Sequence, residues 1–93
     1  MSKINFFPGM TAFELKEKLE DYLKKATPLF DGLEVGQVEG ISSEVVEHFE
    51  KMTLGYFRDA KHFYEKKEYI NSFGALEYAE GWLDAGKAVG IFK

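Results

Sequence analysis

An all-α fold, a small antiparallel bundle with three main helices, is expected from three features of the chain. Apolar residues recur at steps of three and four in three separate stretches. Capping signals precede the first two stretches, and a very short charged join separates the second from the third. The proline and glycine concentration between the first and second stretches breaks the helical rhythm there.

The first helix opens on "TAFE". Thr11 can accept a hydrogen bond from the Glu14 amide and Glu14 can reach back, which is the capping-box pattern. Phe13, Leu15, Leu19, Tyr22, Leu23 and Ala26 follow at near-helical spacing, and Pro28 is expected to end the helix at about Lys25 or Ala26. Ahead of it, residues 1–10 form an apolar arm with Ile4, Phe6, Phe7, Pro8 and Met10.

Residues 27–41, "TPLFDGLEVGQVEGI", read as a long connecting loop. Such a length in a small domain implies either a mobile segment or one that wraps the bundle through Leu29, Phe30, Leu33, Val35, Val38 and Ile41. Gly32, Gly36 and Gly40 are evenly spaced, but no lysine and Ser/Thr follow them as a phosphate loop requires.

The second helix is expected from Ser42 or Ser43, with a seam of Phe49, Met52, Tyr56, Ala60 and Phe63 that Val45, Val46, Phe57 and Tyr64 widen. The third begins near Glu68 and keeps the same rhythm through Tyr69, Ser72, Phe73, Leu76, Ala79, Leu83 and Gly86. The join at Lys66–Glu68 makes them a long antiparallel hairpin. Folding the chain about Lys67 sets Ala60 near Ala75, Tyr56 near Ala79 and Phe49 near Gly86. Large side chains then face small ones, so Gly74, Gly81 and Gly86 are read first as a close-packing face, with Gly90 as a helix stop.

Bulk properties narrow the function. Ninety-three residues make a single domain, 1–93. A chain of this size buries only about 60–65% of its unfolded surface, so its nine Phe, five Tyr and one Trp are a large share of its stabilising area. No cysteine is present, which removes disulfides and thiolate metal sites and fits a cytoplasmic location. No apolar run reaches the ~20 residues of a membrane span. A net charge of −4 disfavours nucleic acid as a partner.

Sites of chemistry are sparse. His48 and His62 lie about 21 Å apart along one helix and cannot share a metal, so no metal site is expected. Arg58 and His62, in "YFRDAKHFY", share one helical face. Small helical ribonucleases of the HEPN type use Arg and His from one helix, although here the pair is closer in sequence than in that type. Asp59, Asn71, Tyr78, Trp82 and Asp84 are the polar and amphipathic members of the hairpin, and Asp59, Tyr78, Trp82 and Asp84 are the candidate binding or interface residues. Asp84 is expected to be partly buried, with Lys87 as its local ion-pair partner and Lys51 a further donor. No catalytic residue and no cofactor are indicated.

The stretch "YFRDAKHFYEKKEYINSFGALEYAEGWLDAGKAVGIF" resembles a family of short archaeal helical proteins catalogued as domain of unknown function 357. The positions that carry the resemblance are Tyr56, Asp59, Ala60, Phe63, Tyr69, Asn71, Tyr78, Ala79, Gly81, Trp82, Leu83, Asp84, Ala85 and Gly86. The run Gly-Trp-Leu-Asp-Ala-Gly is its specific part, and the likeness covers about residues 54–92. The chain departs from the pattern at Glu80, where a histidine is expected, and at Ala88, where a basic residue is expected. The resemblance implies a small all-helical bundle from an archaeal cytoplasm and brings no activity, substrate or cofactor. The hairpin is also similar to a tetratricopeptide hairpin, without the repeat that defines those arrays.

The expected function is therefore a non-enzymatic module for protein interaction or self-assembly, engaging a protein partner or a second copy as a homo-oligomer such as a dimer. The alternatives are a HEPN-like ribonuclease using Arg58 and His62, and a small-ligand-binding domain around Trp82 and Asp84.

Overall fold

A computed structural model describes residues 10–93; all of the expected apolar arm except Met10 lies outside the described residues. Three helices follow in order: α1 (Ala12–Asp31), α2 (Ser43–Glu65) and α3 (Tyr69–Ala88). The chain is all-α. Helices α2 and α3 form the long antiparallel hairpin, and α1 lies against both. The principal extents are 47 × 23 × 18 Å.

Thr11 caps α1: its Oγ1 accepts the Glu14 amide at 3.1 Å and donates to Glu14 Oε1 at 3.0 Å. The buried stripe is Leu19, Leu23, Ala26 and Phe30, spaced four, three and four. Helix α1 does not end before Pro28; it carries the proline inside and continues to Asp31, so the loop begins at Gly32 and not at residue 27. The reason is Phe30. Its ring is 2% exposed and stacks on Phe57 at 4.3 Å and 8°. Burying such a ring is worth about 1.5–3 kcal/mol, which offsets the ~3 kcal/mol of a helix-interior proline. The Lys24 carbonyl, which Pro28 cannot serve, sits on an exposed residue. Thr27 Oγ1 meanwhile donates to the Leu23 carbonyl at 2.7 Å, and the Gly32 amide closes the end on the Pro28 carbonyl at 3.0 Å.

The connection wraps the bundle. Leu33, Val38 and Ile41 pack against the core, while Leu29 and Val35 remain exposed. Val35 pairs with Phe92 in an isolated antiparallel bridge; the Gly36 amide donates to the Ile91 carbonyl at 2.8 Å and the Lys93 amide to the Glu34 carbonyl at 3.1 Å.

Ser42 caps α2 through the Val45 amide at 3.2 Å. The innermost stripe is Val46, Thr53, Phe57 and Ala60, so the seam is rotated from the expected one: Phe49, Met52, Tyr56 and Phe63 flank it half-buried. Thr53 is fully buried, and its hydroxyl is satisfied by the Phe49 carbonyl at 2.6 Å. The turn into α3 is a Schellman closure. Glu68 N–H donates to the Phe63 carbonyl and Lys67 N–H to the Tyr64 carbonyl, with Lys67 at φ 64° in the position glycine usually holds.

Helix α3 buries Ser72, Phe73, Ala75, Leu76, Ala79, Leu83 and Gly86, close to the expected face. The Ser72 hydroxyl donates to the Ala60 carbonyl across the hairpin. Contacts fall nearer the turn than the expected pairings of Tyr56 with Ala79 and Phe49 with Gly86: Tyr56 stacks on Tyr78 and Phe49 meets Trp82. After α3 the chain reverses at Gly90 (φ 86°), and Ile91 and Phe92 return into the core.

Candidate functional site

The reversal at Gly90 decides which glycines are for packing. A Cβ on Gly86 would run into the Phe92 ring. Added at Gly74 or Gly81, a Cβ would meet nothing within 4 Å among the described residues. The close-packing account therefore holds at Gly86, with Phe92 rather than Phe49 as the neighbour, and fails at Gly74 and Gly81. Those two open into a groove on the outer side of α3, about 580 Å³ in volume.

The helical period sorts the lining into three parallel rows. Gly74, Gly81 and Ala85 form a floor of small residues. Tyr78 and Trp82, one turn apart, form an aromatic wall on one side. Glu77, Glu80 and Asp84 form an acidic wall on the other. Among the described residues lining the groove, none is basic.

The aromatic wall is braced from α2. Tyr56 stacks under Tyr78 at 5.1 Å and 22°. His48 and Phe49 both meet Trp82 edge-on, at 5.5 and 5.0 Å, with interplanar angles of 81° and 87°. Trp82 is thus held by two rings behind it while its remaining surface faces the groove. Tyr78 is 63% exposed although its stacking partner is half-buried.

Of the residues singled out in the sequence, Tyr78, Trp82 and Asp84 come together here, and Asp59 does not: it is exposed on α2 and is not part of the lining. Asp84 is exposed rather than partly buried, and among the described residues no ion pair joins it to Lys87 or Lys51. Water solvates the carboxylate at that position, so it needs no internal donor. Sequence reading missed Glu77, Glu80 and Ala85 as site members. The signal was present in their spacing: acids at three and four, small residues at seven and four, aromatics at four.

Arg58 and His62 are both exposed on α2. Among the described residues, no group of three or more His, Asp or Glu side chains gathers where it could hold a metal ion. No helix among the described residues is long and apolar enough to cross a membrane.

Fold and groove together define a small all-α protein built on a helical hairpin, with one helix left open along an aromatic and acidic channel. The chain belongs to the family described as protein of unknown function (DUF357), whose model matches residues 15–92. The family's reach thus includes α1 from Leu15 and the wrapping loop, well beyond the residues 54–92 that carry the resemblance in sequence. Comparison with curated proteins and with solved structures finds no match.

Proposed function

We propose that the protein is a non-enzymatic interaction module that docks a helix of a partner protein in the α3 groove. One observation carries this reading: the outer face of α3 carries an exposed apolar strip beside its acidic row. Opposite its core stripe stand Ile70, Tyr78, Gly81, Ala85 and Ala88, all exposed. An apolar strip on the side of a helix that faces away from its own core is a surface suited to a partner. Small floor residues favour the same reading, because they let a second backbone approach closely. Tyr and Trp beside such a floor are the side chains that anchor interfaces. A cytoplasmic setting in an archaeal cell accompanies the proposal, as the absence of cysteine and the family resemblance suggest.

The test fills the floor. Gly81→Leu places a side chain where open space lies, so the fold should melt at or above the parent temperature. Nuclease-treated lysate passed over the two proteins should leave a stoichiometric protein on the parent and none on the variant. Equal capture by both would overturn the reading. A metabolite that raises the parent's melting temperature and not the variant's would replace the partner with a small ligand.

A further inference from the structure

We infer that the helix received by the groove is a basic one, carrying lysine or arginine along one edge of its apolar stripe; this rests on the docking reading above. The walls of the groove differ in kind. Tyr78 and Trp82 offer ring faces and edges on one side, and Glu77 and Asp84 offer exposed carboxylates on the other, with no cation among the described residues of the lining to neutralise them. A helix lying between them must present apolar side chains to the first wall and positive charge to the second. Long basic side chains suit both, since their methylene stems cover apolar surface while the charged ends reach the acids. The aromatic wall adds attraction for any cation that strays across the floor.

The same charges argue against a second copy of this chain as occupant. Two α3 helices packed face to face and antiparallel set acidic wall against acidic wall. Packed parallel, they set each acidic wall against a ring pair with no counter-charge. Either way the described residues of a second groove contribute more carboxylates and no cation. The overall charge of −4 adds to that repulsion.

The experiment uses the full chain and two synthetic helical peptides without tryptophan. Both carry the same leucine-alanine stripe; one is edged with lysine and arginine, the other with glutamate. Trp82 is the chain's one tryptophan, so its emission reports binding directly. The basic peptide should bind about tenfold or more tighter than the acidic one, the worth of two partly exposed ion pairs. Raising the salt toward ~1 M should narrow that ratio. The double variant Glu77→Lys with Asp84→Lys, both at exposed positions, should reverse the preference. Equal binding of the two peptides, blocked by Gly81→Leu, would overturn the charge inference and leave the docking reading standing. No change in Trp82 with either peptide would overturn both. A concentration-dependent dimer that Gly81→Leu abolishes would assign the groove to a second copy and overturn the basic partner.

Discussion

Gly86 and Phe92 occupy one another's space: the ring lies where a side chain on residue 86 would be, and the Phe92 amide donates to the Gly86 carbonyl at 3.1 Å. The glycine is therefore a socket for a ring brought back by the reversal at Gly90. Ring and socket are both buried, so the contact belongs to the core rather than to the surface.

Gly86→Ala should accordingly destabilise the protein by about 1–3 kcal/mol, the range for overpacking a filled core. For a domain of this size each kcal/mol shifts the melting temperature by about 4–8 °C. Adding Phe92→Ala to Gly86→Ala should cost less than the sum of the two single changes, because the first relieves the clash made by the second. Additive losses in thermal melts would show that the two residues do not share the space.

Gly81→Ala and Gly74→Ala should do the opposite. Both sites are helical and open, so removing backbone freedom from the unfolded chain should add about 0.5–1 kcal/mol each. A melting temperature that falls at either site would mean that the groove floor is already occupied.

Lys67 holds a left-handed conformation at the hairpin turn. That geometry costs a non-glycine residue roughly 1–2 kcal/mol, so Lys67→Gly should raise stability despite the extra freedom it gives the unfolded chain. Urea unfolding midpoints compare the two directly. A lower midpoint for Lys67→Gly would show that the lysine side chain supports the turn.

Tyr64 ties α2 to α1 through a 3.0 Å hydrogen bond from its hydroxyl to Glu20. Burial, then the bond to the Glu20 carboxylate and its negative charge, raise the phenol above the usual tyrosine value. The folded state thus holds this proton more tightly than the unfolded state. The stabilisation is complete below the ordinary tyrosine pKa and is lost as pH rises through the raised folded value. Stability measured across that alkaline window should fall more in the parent than in Tyr64→Phe. Identical alkaline slopes would show that the bond does not matter in solution.

For Arg58 and His62 the expected result is inactivity. RNA incubated with the parent should remain intact. Cleavage that disappears in Arg58→Ala would restore the ribonuclease alternative and displace the interaction module.

Much of the architecture is legible in local chemistry. The caps at Thr11 and Ser42, the charged turn and the α3 core face all follow from neighbours within a few residues. What was hidden depends on partners distant in sequence. Pro28 reads as a stop because its own ring says so, and only the stacking of Phe30 on Phe57 carries the helix past it. Gly81 reads as a packing glycine because its spacing matches that of Gly86, yet only Gly86 has a ring returning onto it. The groove is half visible in the sequence, which marks its aromatic and acidic members at Tyr78, Trp82 and Asp84; the open floor between them is a property of what α2 and α1 do not cover.

The bridge between Val35 and Phe92 has a bearing on how the molecule is made. A ribosome releases α1 first, with Leu19, Leu23 and Phe30 uncovered, and the surfaces that cover them lie on α2 and α3. Helices α2 and α3 can zip together as soon as both have emerged, since their contacts are near in sequence. The clasp over the wrapping loop must wait until residue 92 has been added. Birth order and burial order of the three helices therefore run in opposite directions, and α1, synthesised before α2 and α3, is the helix that stays exposed to chance encounters longest.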